Sequence, residues 1–268
     1  MSDELRLVPV ELAATPPVAD LWAPLRRATP ARIGLGRAGD ALPTSRQLEL
    51  RLAHARARDA VHDPLDSARL TAELGDMGAA GITVASAAPD RSTYLRRPDL
   101  GRRLADGEQA KLPPGEAEIA FVIADGLSPH AVHQHAAGVL RETVARLPGW
   151  TLAPLVIASQ ARVALGDEIG AALGVRFVVV LIGERPGLSA ADSLGVYLTY
   201  APRVGRSDAE RNCISNVRPP AGLSYAVAAG KLAALLIEAR RRGLTGVALK
   251  DEAADLPDGP LPPAALGS

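Results

Sequence analysis

The sequence predicts a three-layer α/β protein preceded by a smaller, mainly helical region. Three observations carry that expectation. Phe177-Val-Val-Val-Leu-Ile182 is a run of six apolar residues, four of them β-branched, that stops at Gly183-Glu184-Arg185-Pro186-Gly187. A continuous apolar run of this kind reads as a strand buried on both faces, the pattern of a parallel sheet. Ile119-Ala-Phe-Val-Ile-Ala124 repeats the pattern and stops at Asp125-Gly126. Between the two runs lie a helical stretch from Pro129 to about Arg146 and a further apolar segment, Leu152-Ala-Pro-Leu-Val-Ile157. A short helix from Gly166 to Leu173 follows. Strand, helix, strand, helix, strand at this spacing means βαβ units.

The elements follow in order. Residues 1–30 are rich in Pro and Ala without a sustained period and read as an extended arm that includes Trp22. Thr44, three residues before Gln47, forms a capping box that opens a helix. Leu48, Leu52, Ala55 and Val61 supply its apolar stripe. Leu65 to Leu74 is a second helix ended by Gly75, Gly81-Ile-Thr-Val-Ala85 a short strand, and Pro98 to about Ala105 a third helical piece. Two prolines and two glycines in 106–116 mark a domain boundary. After the three strands, Tyr197-Leu-Thr-Tyr200 alternates like an exposed edge strand. Leu223 to about Arg242 is a long helix with an Arg-rich last turn and Gly243 as its cap. The expected layout is an arm (1–30), a mainly helical N-terminal domain (31–112), a Rossmann-like domain with a parallel sheet (113–252) and a flexible tail (253–268).

Composition excludes several functions. Basic and acidic residues balance at 30 each, so no global positive field draws nucleic acid. Aromatic residues are 3% of the chain, too few to build stacking platforms for bases. Cys213 is the only cysteine, which excludes an internal disulfide and Cys-rich zinc sites. No apolar run approaches the roughly 18–20 residues of a membrane span. Met1-Ser-Asp-Glu-Leu-Arg lacks the basic start and apolar core of a secretory signal. A cytoplasmic protein is the expectation.

The motifs divide by context. Gly34-Leu-Gly36-Arg-Ala-Gly39 matches a dinucleotide fingerprint by letter, but no strand-like segment precedes it and Pro43 intervenes before any helix. Ser128-Pro129 is a ready helix N-cap with proline in the first turn. His130, His133 and His135 cluster without a carboxylate at ligand spacing, so no metal site is assigned. Gly-x-Ser-x-Gly is absent, and no catalytic acid, base or nucleophile is assigned. Chemistry concentrates instead in three segments: Gln160 to Gly170, Gly183 to Leu188, and Arg211 to Asn216. The first two follow parallel strands and open on the edge where such sheets bind ligands. The third is read as a loop leading into the last helix.

At these residues the chain resembles the small (light) subunit family of ethanolamine ammonia-lyase. The resemblance spans most of residues 29–250. It rests on Ala31-Arg-Ile-Gly-Leu-Gly-Arg-Ala-Gly39, His54-Ala-Arg-Ala-Arg-Asp-Ala-Val61, Tyr94-Leu-Arg-Arg-Pro-Asp-Leu-Gly-Arg-Arg-Leu104, the Asp-Gly-Leu-Ser turn ending at Ser128, Gly183-Glu-Arg-Pro-Gly187 and Cys213-Ile-Ser-Asn216. It implies a subunit of an adenosylcobalamin-dependent enzyme that converts ethanolamine to acetaldehyde and ammonia by radical chemistry. The reacting side chains belong to a large β/α-barrel subunit, and the expected assembly is a hetero-oligomer, a hexamer of heterodimers. The cobalamin contacts carried over are Val163, Glu184 and Cys213, one from each segment singled out above. The location implied is the cytoplasm, with a bacterial microcompartment as the alternative. Apart from the resemblance, the residues leave two other readings open: a standalone Rossmann-like nucleotide-binding enzyme, or a structural adaptor.

Overall fold

The computed structural model describes residues 20–75 and 81–250. The expected flexible tail and most of the expected arm lie outside them. The chain divides into two compact units, up to Glu49 and from Leu50 onward.

In the first unit, helix α1 (Ala23–Ala28) carries Pro24 in its first turn, where a missing N–H is harmless. Arg26 Nη1 donates to the carbonyls of Ile33 at 3.2 Å and Gly34 at 2.7 Å. Trp22 lies against Gly34, whose φ is +56°; a Cβ there would come within 2.1 Å of the indole. Ala38 and Ala41 then close a tight turn through paired backbone bonds. The Gly34–Gly39 segment is therefore a packed turn with no strand before it among the described residues, as its context in the sequence implied.

In the second unit, six strands among the described residues form one sheet: β1 (Ile82–Ala85), β2 (Ile119–Ala124), β3 (Val156–Ser159), β4 (Phe177–Gly183), β5 (Leu194–Tyr200) and β6 (Arg211–Val217). Their order is β1-β3-β2-β4-β5-β6. The first four in that order pair in parallel, whereas β4–β5 and β5–β6 are antiparallel. The sheet is thus mixed, which corrects the expectation of a parallel one. Two misread segments account for the difference. Tyr197–Tyr200 belongs to β5, which is flanked by β4 and β6 and is not an edge. Arg211–Asn216 is not a loop but lies within the outer strand β6. Arg, Asn, Cys and Ser give β6 little strand signature of its own, and pairing with β5 supplies it. Strand β3 also starts later than expected, with Leu152 contributing only an isolated bridge to Ile119.

Helices cover both faces. Side chains alternate across each strand, so β2 and β4 feed two cores. On one face Ile119, Phe121, Ile123, Phe177, Val179 and Leu181 pack with α5 (Pro129–Ala145) and α7 (Tyr225–Arg242). On the other, Ala120, Val122, Val178 and Val180 pack under α6 (Leu165–Leu173). Each fully buried Val, Leu, Ile or Phe contributes about 1.5–3 kcal/mol relative to exposure. Ser128 caps α5, accepting from Ala131 N at 3.2 Å, and Gly243 ends α7 in the left-handed conformation.

Helix α2 spans Thr44–His62, but Leu52 on its expected apolar stripe is 52% exposed. Helix α3 (Ser67–Leu74) buries Leu70 and Leu74 in the α5–α7 core. The expected third helical piece, Pro98 to about Ala105, is only a single 3₁₀ turn at Leu100–Arg102; the α-helix of this region, α4 (Arg91–Arg96), lies before it. Strand β1 pairs with β3, so the sheet itself crosses the 106–116 segment that the sequence offered as a boundary.

Candidate functional site

Strands β2, β3 and β4 run parallel, so their C-terminal ends meet on one edge, and a cleft of about 420 Å³ opens there. Its floor is built from the strand-ending turns. Gly126 has φ +57°, and a Cβ on it would fall 2.2 Å from the Gly183 carbonyl oxygen. Only glycine lets the β2 and β4 turns approach this closely. The contact is closed by Leu127 N–H donating to Gly183 O at 2.9 Å.

Asp125 fastens the β3 turn to the β2 end. Its buried carboxylate accepts Gln160 N–H and Ala161 N–H, each at 2.8 Å, and lies 3.3 Å from Arg91 Nη1. Gln160 is held at φ +53°, an uncommon conformation for a residue with a side chain. Arg91 also donates to Gly126 O at 2.9 Å and Val61 O at 2.7 Å. Tyr94 is fully buried beside it and donates to Ala161 O at 2.9 Å. Burial, followed by the Asp125 charge, pushes its phenol up from the usual range, so it stays a neutral donor. These contacts aim Arg162 and Val163 along the cleft wall.

The opposite wall begins at Glu184, the first residue after β4. Its carboxylate is held at three points. Ser215 Oγ donates to Oε1 at 2.5 Å, Ser193 Oγ to Oε2 at 2.5 Å, and Asn216 N–H to Oε2 at 3.3 Å. Its backbone N–H donates to Ser193 O at 2.9 Å. Gly195 leaves the side chain room, since a Cβ there would come within 3.1 Å of Oε1. A carboxylate oxygen accepts about two hydrogen bonds, so Oε2 is filled and Oε1 has one position left.

Cys213 sits on β6 directly opposite Tyr197 of β5, and Tyr197 lines the cleft. Opposed residues share a face, and Cys213 is exposed on it. Although the residue is exposed, partial desolvation of its sulfur by neighbouring atoms, opposed by the Tyr197 hydrogen bond and reinforced by the Glu184 charge, raises the thiol above its ordinary value. Cys213 is a neutral thiol at neutral pH.

The three residues singled out from the sequence therefore converge. Val163 and Glu184 line one cleft, and Cys213 joins it through Tyr197 and, two residues along β6, through Ser215. The sequence reading missed Tyr94, Ser193, Tyr197 and Gly195. Tyr94 opens one of the segments that carry the family resemblance, but nothing along the chain showed that it would lie under Arg162. The three histidines do not assemble. His130 is exposed, His133 Nε2 accepts Asp66 N–H at 3.0 Å, and His135 is buried with Nδ1 2.9 Å from the Tyr225 hydroxyl. Among the described residues no group of three or more His, Cys, Asp or Glu is placed to hold a metal.

Fold and site define an α/β protein with an open cleft at the carboxyl edge of its parallel strands. Residues 19–250 match the family model for the ethanolamine ammonia-lyase light chain (EutC). The chain is 58% identical over 247 residues to the ethanolamine ammonia-lyase small subunit of Xanthomonas campestris pv. campestris, covering 89% of this chain and 90% of the relative. It is 56% identical over 237 residues to that of Rhodococcus erythropolis, with 88% and 91% covered. It is 54% identical over 265 residues to that of Ralstonia nicotianae, with 96% of each covered. The chain belongs to the ethanolamine ammonia-lyase light-chain family, and is thereby a subunit of an ammonia-lyase.

Proposed function

We propose that this chain joins a large subunit to form an adenosylcobalamin-dependent enzyme converting ethanolamine to acetaldehyde and ammonia, and that its cleft covers part of the cofactor. The observation that carries the reading is the meeting of Val163 and Glu184 on one cleft, with Cys213 opposite the cleft residue Tyr197, in a chain of this family. The residues suit the group. A corrin ring with its amide arms is much larger than a cleft of about 420 Å³, so this chain contacts one portion and a second subunit encloses the rest. Amide arms offer N–H donors, and Glu184 Oε1 retains one acceptor position. Val163, Leu127 and Ile182 offer apolar contact beside it.

When bound, the cofactor supplies the radical chemistry. This chain's own residues orient and enclose. Glu184 accepts, held in place by Ser193, Ser215 and the Asn216 amide. Cys213 contributes a neutral, compact surface. None of the three is asked to move a proton.

The test is reconstitution. This chain alone should release no ammonia from ethanolamine, and mixing with the large subunit and adenosylcobalamin should restore release. Two folded subunits that stay inactive together refute the reading. In the reconstituted enzyme Glu184→Gln should raise the apparent KM for adenosylcobalamin about tenfold or more, the value of a charge-assisted hydrogen bond, while kcat at saturating cofactor changes little.

A further inference from the structure

Arg162 is the cleft residue that the reading above leaves without a task. Its position is closely determined. Its backbone N–H donates to Gly101 O at 2.7 Å, its guanidinium lies 4.3 Å over the Tyr94 ring, and Nη2 reaches Tyr94 O at 3.5 Å. Its charge, however, is unanswered. Nε is buried without an acceptor, and among the described residues no carboxylate pairs with Arg162 or with Arg185, the second cation lining the cleft. Arg91 nearby is already matched to Asp125. The one carboxylate on the lining is Glu184, which is turned toward Ser193 and Ser215. Two guanidinium groups thus face the cleft against one carboxylate. A stacked, pre-positioned guanidinium lacking a counter-charge is half of an oxyanion site, since its planar fork matches the geometry of phosphate.

We propose that Arg162, with Arg185 on the same lining, is a phosphate subsite. Resting on the cobalamin reading, the group it takes is the phosphodiester of the cofactor's nucleotide tail. Glu184 and Arg162 then divide the ligand by chemistry: the acceptor meets amide arms, and the cation meets the one anionic group.

The experiment is equilibrium binding to the assembled two-subunit complex, followed by the visible absorbance of the corrin, with three probes. Adenosylcobalamin carries the whole tail, adenosylcobinamide phosphate keeps the phosphate without the base, and adenosylcobinamide lacks both. Arg162→Met, which keeps the stem against Tyr94, should weaken the two phosphate-bearing probes about tenfold or more and leave adenosylcobinamide within about twofold. Arg162→Lys should recover part of the loss. Equal weakening of all three probes would assign Arg162 to packing alone and overturn the proposal, as would no weakening of any. Weakening of adenosylcobalamin without adenosylcobinamide phosphate would refute the phosphate assignment. A wild-type complex that binds no corrin at all overturns the cobalamin reading and this subsite with it, and is distinguished from the other outcomes by the wild-type arm.

Discussion

Glu184 illustrates how a single side chain acquires a role from its neighbours. A glutamate directly after a buried strand is ordinarily a solvated charge. Here three donors from two other segments fix it, and Gly195 keeps the space beside it open. Cys213 shows the reverse case, a reactive residue type made quiet. Its thiol is raised by partial desolvation and by the Glu184 charge, so less thiolate is present at a given pH than in a free cysteine. The alkylation rate of Cys213 by iodoacetamide should therefore rise with a midpoint at higher pH in the native chain than in the denatured chain. A lower native midpoint would mean an activated thiol and would contradict the role given to it here.

At the scale of elements, the outer strand β6 is tied to α6 across the sheet face. Arg211 makes a two-pronged ion pair with Asp167, with Nη1–Oδ1 and Nη2–Oδ2 both 2.7 Å, and adds Thr199 Oγ1 at 3.0 Å and Arg206 O at 2.9 Å. Both partners are buried. Removing Arg211 leaves Asp167 an unpaired buried charge, and removing Asp167 leaves Arg211 only the exposed Asp208, 3.5 Å from Nε; breaking a buried pair costs about 3–5 kcal/mol, whereas replacing both partners with apolar residues of similar volume is nearly neutral. Urea unfolding should show Asp167→Leu and Arg211→Met each strongly destabilised, and the double variant recovering most of the loss. Additive losses in the double variant would mean that the pair is not the unit of stability. Because Cys213 and Ser215 ride on β6, this lock also holds one side of the cleft in register.

At the scale of the molecule, the α5–α7 side of the sheet carries a pH-sensitive joint. His135 of α5 is buried, and facing it are Tyr225 at the start of α7, Asp192 at 3.9 Å from Nε2, and the charges of His130 and Arg218. Arg218 in turn donates to Asp192 at 3.1 Å. Burial is the largest influence and lowers the His135 pKa; Asp192 opposes it. A folded-state value below the unfolded one, about 6.5, makes the unfolded chain bind protons first as pH falls. The stability from neutral His135 is therefore present above about pH 6.5 and lost on acidification. Chemical denaturation at pH 7.5 and pH 5 should show a smaller pH-dependent loss in His135→Gln than in the wild-type chain. Equal losses would remove His135 as the cause.

Much of this molecule was legible in the chain. The apolar runs of β2 and β4, the Ser128 and Gly243 caps and the long C-terminal helix announce themselves because local pattern and final environment agree. The β3 turn and the β4 turn could be placed on one edge for the same reason: parallel strands separated by helices must end together. What the chain alone left hidden were the features created by pairing between distant segments. Arg211–Val217 has no strand pattern until β5 lies beside it. Tyr197–Tyr200 reads as an edge until β6 flanks it, and β1 joins the sheet only through β3, with Ile82 paired to Val156. The same holds for the site. Sequence motifs and family resemblance pointed to Val163, Glu184 and Cys213. Only the tertiary structure decided that Ser193 and Ser215 hold the glutamate and that Tyr94 holds an unpaired Arg162, because hydrogen bonds and stacking act over a few ångströms in space and leave no period along the chain.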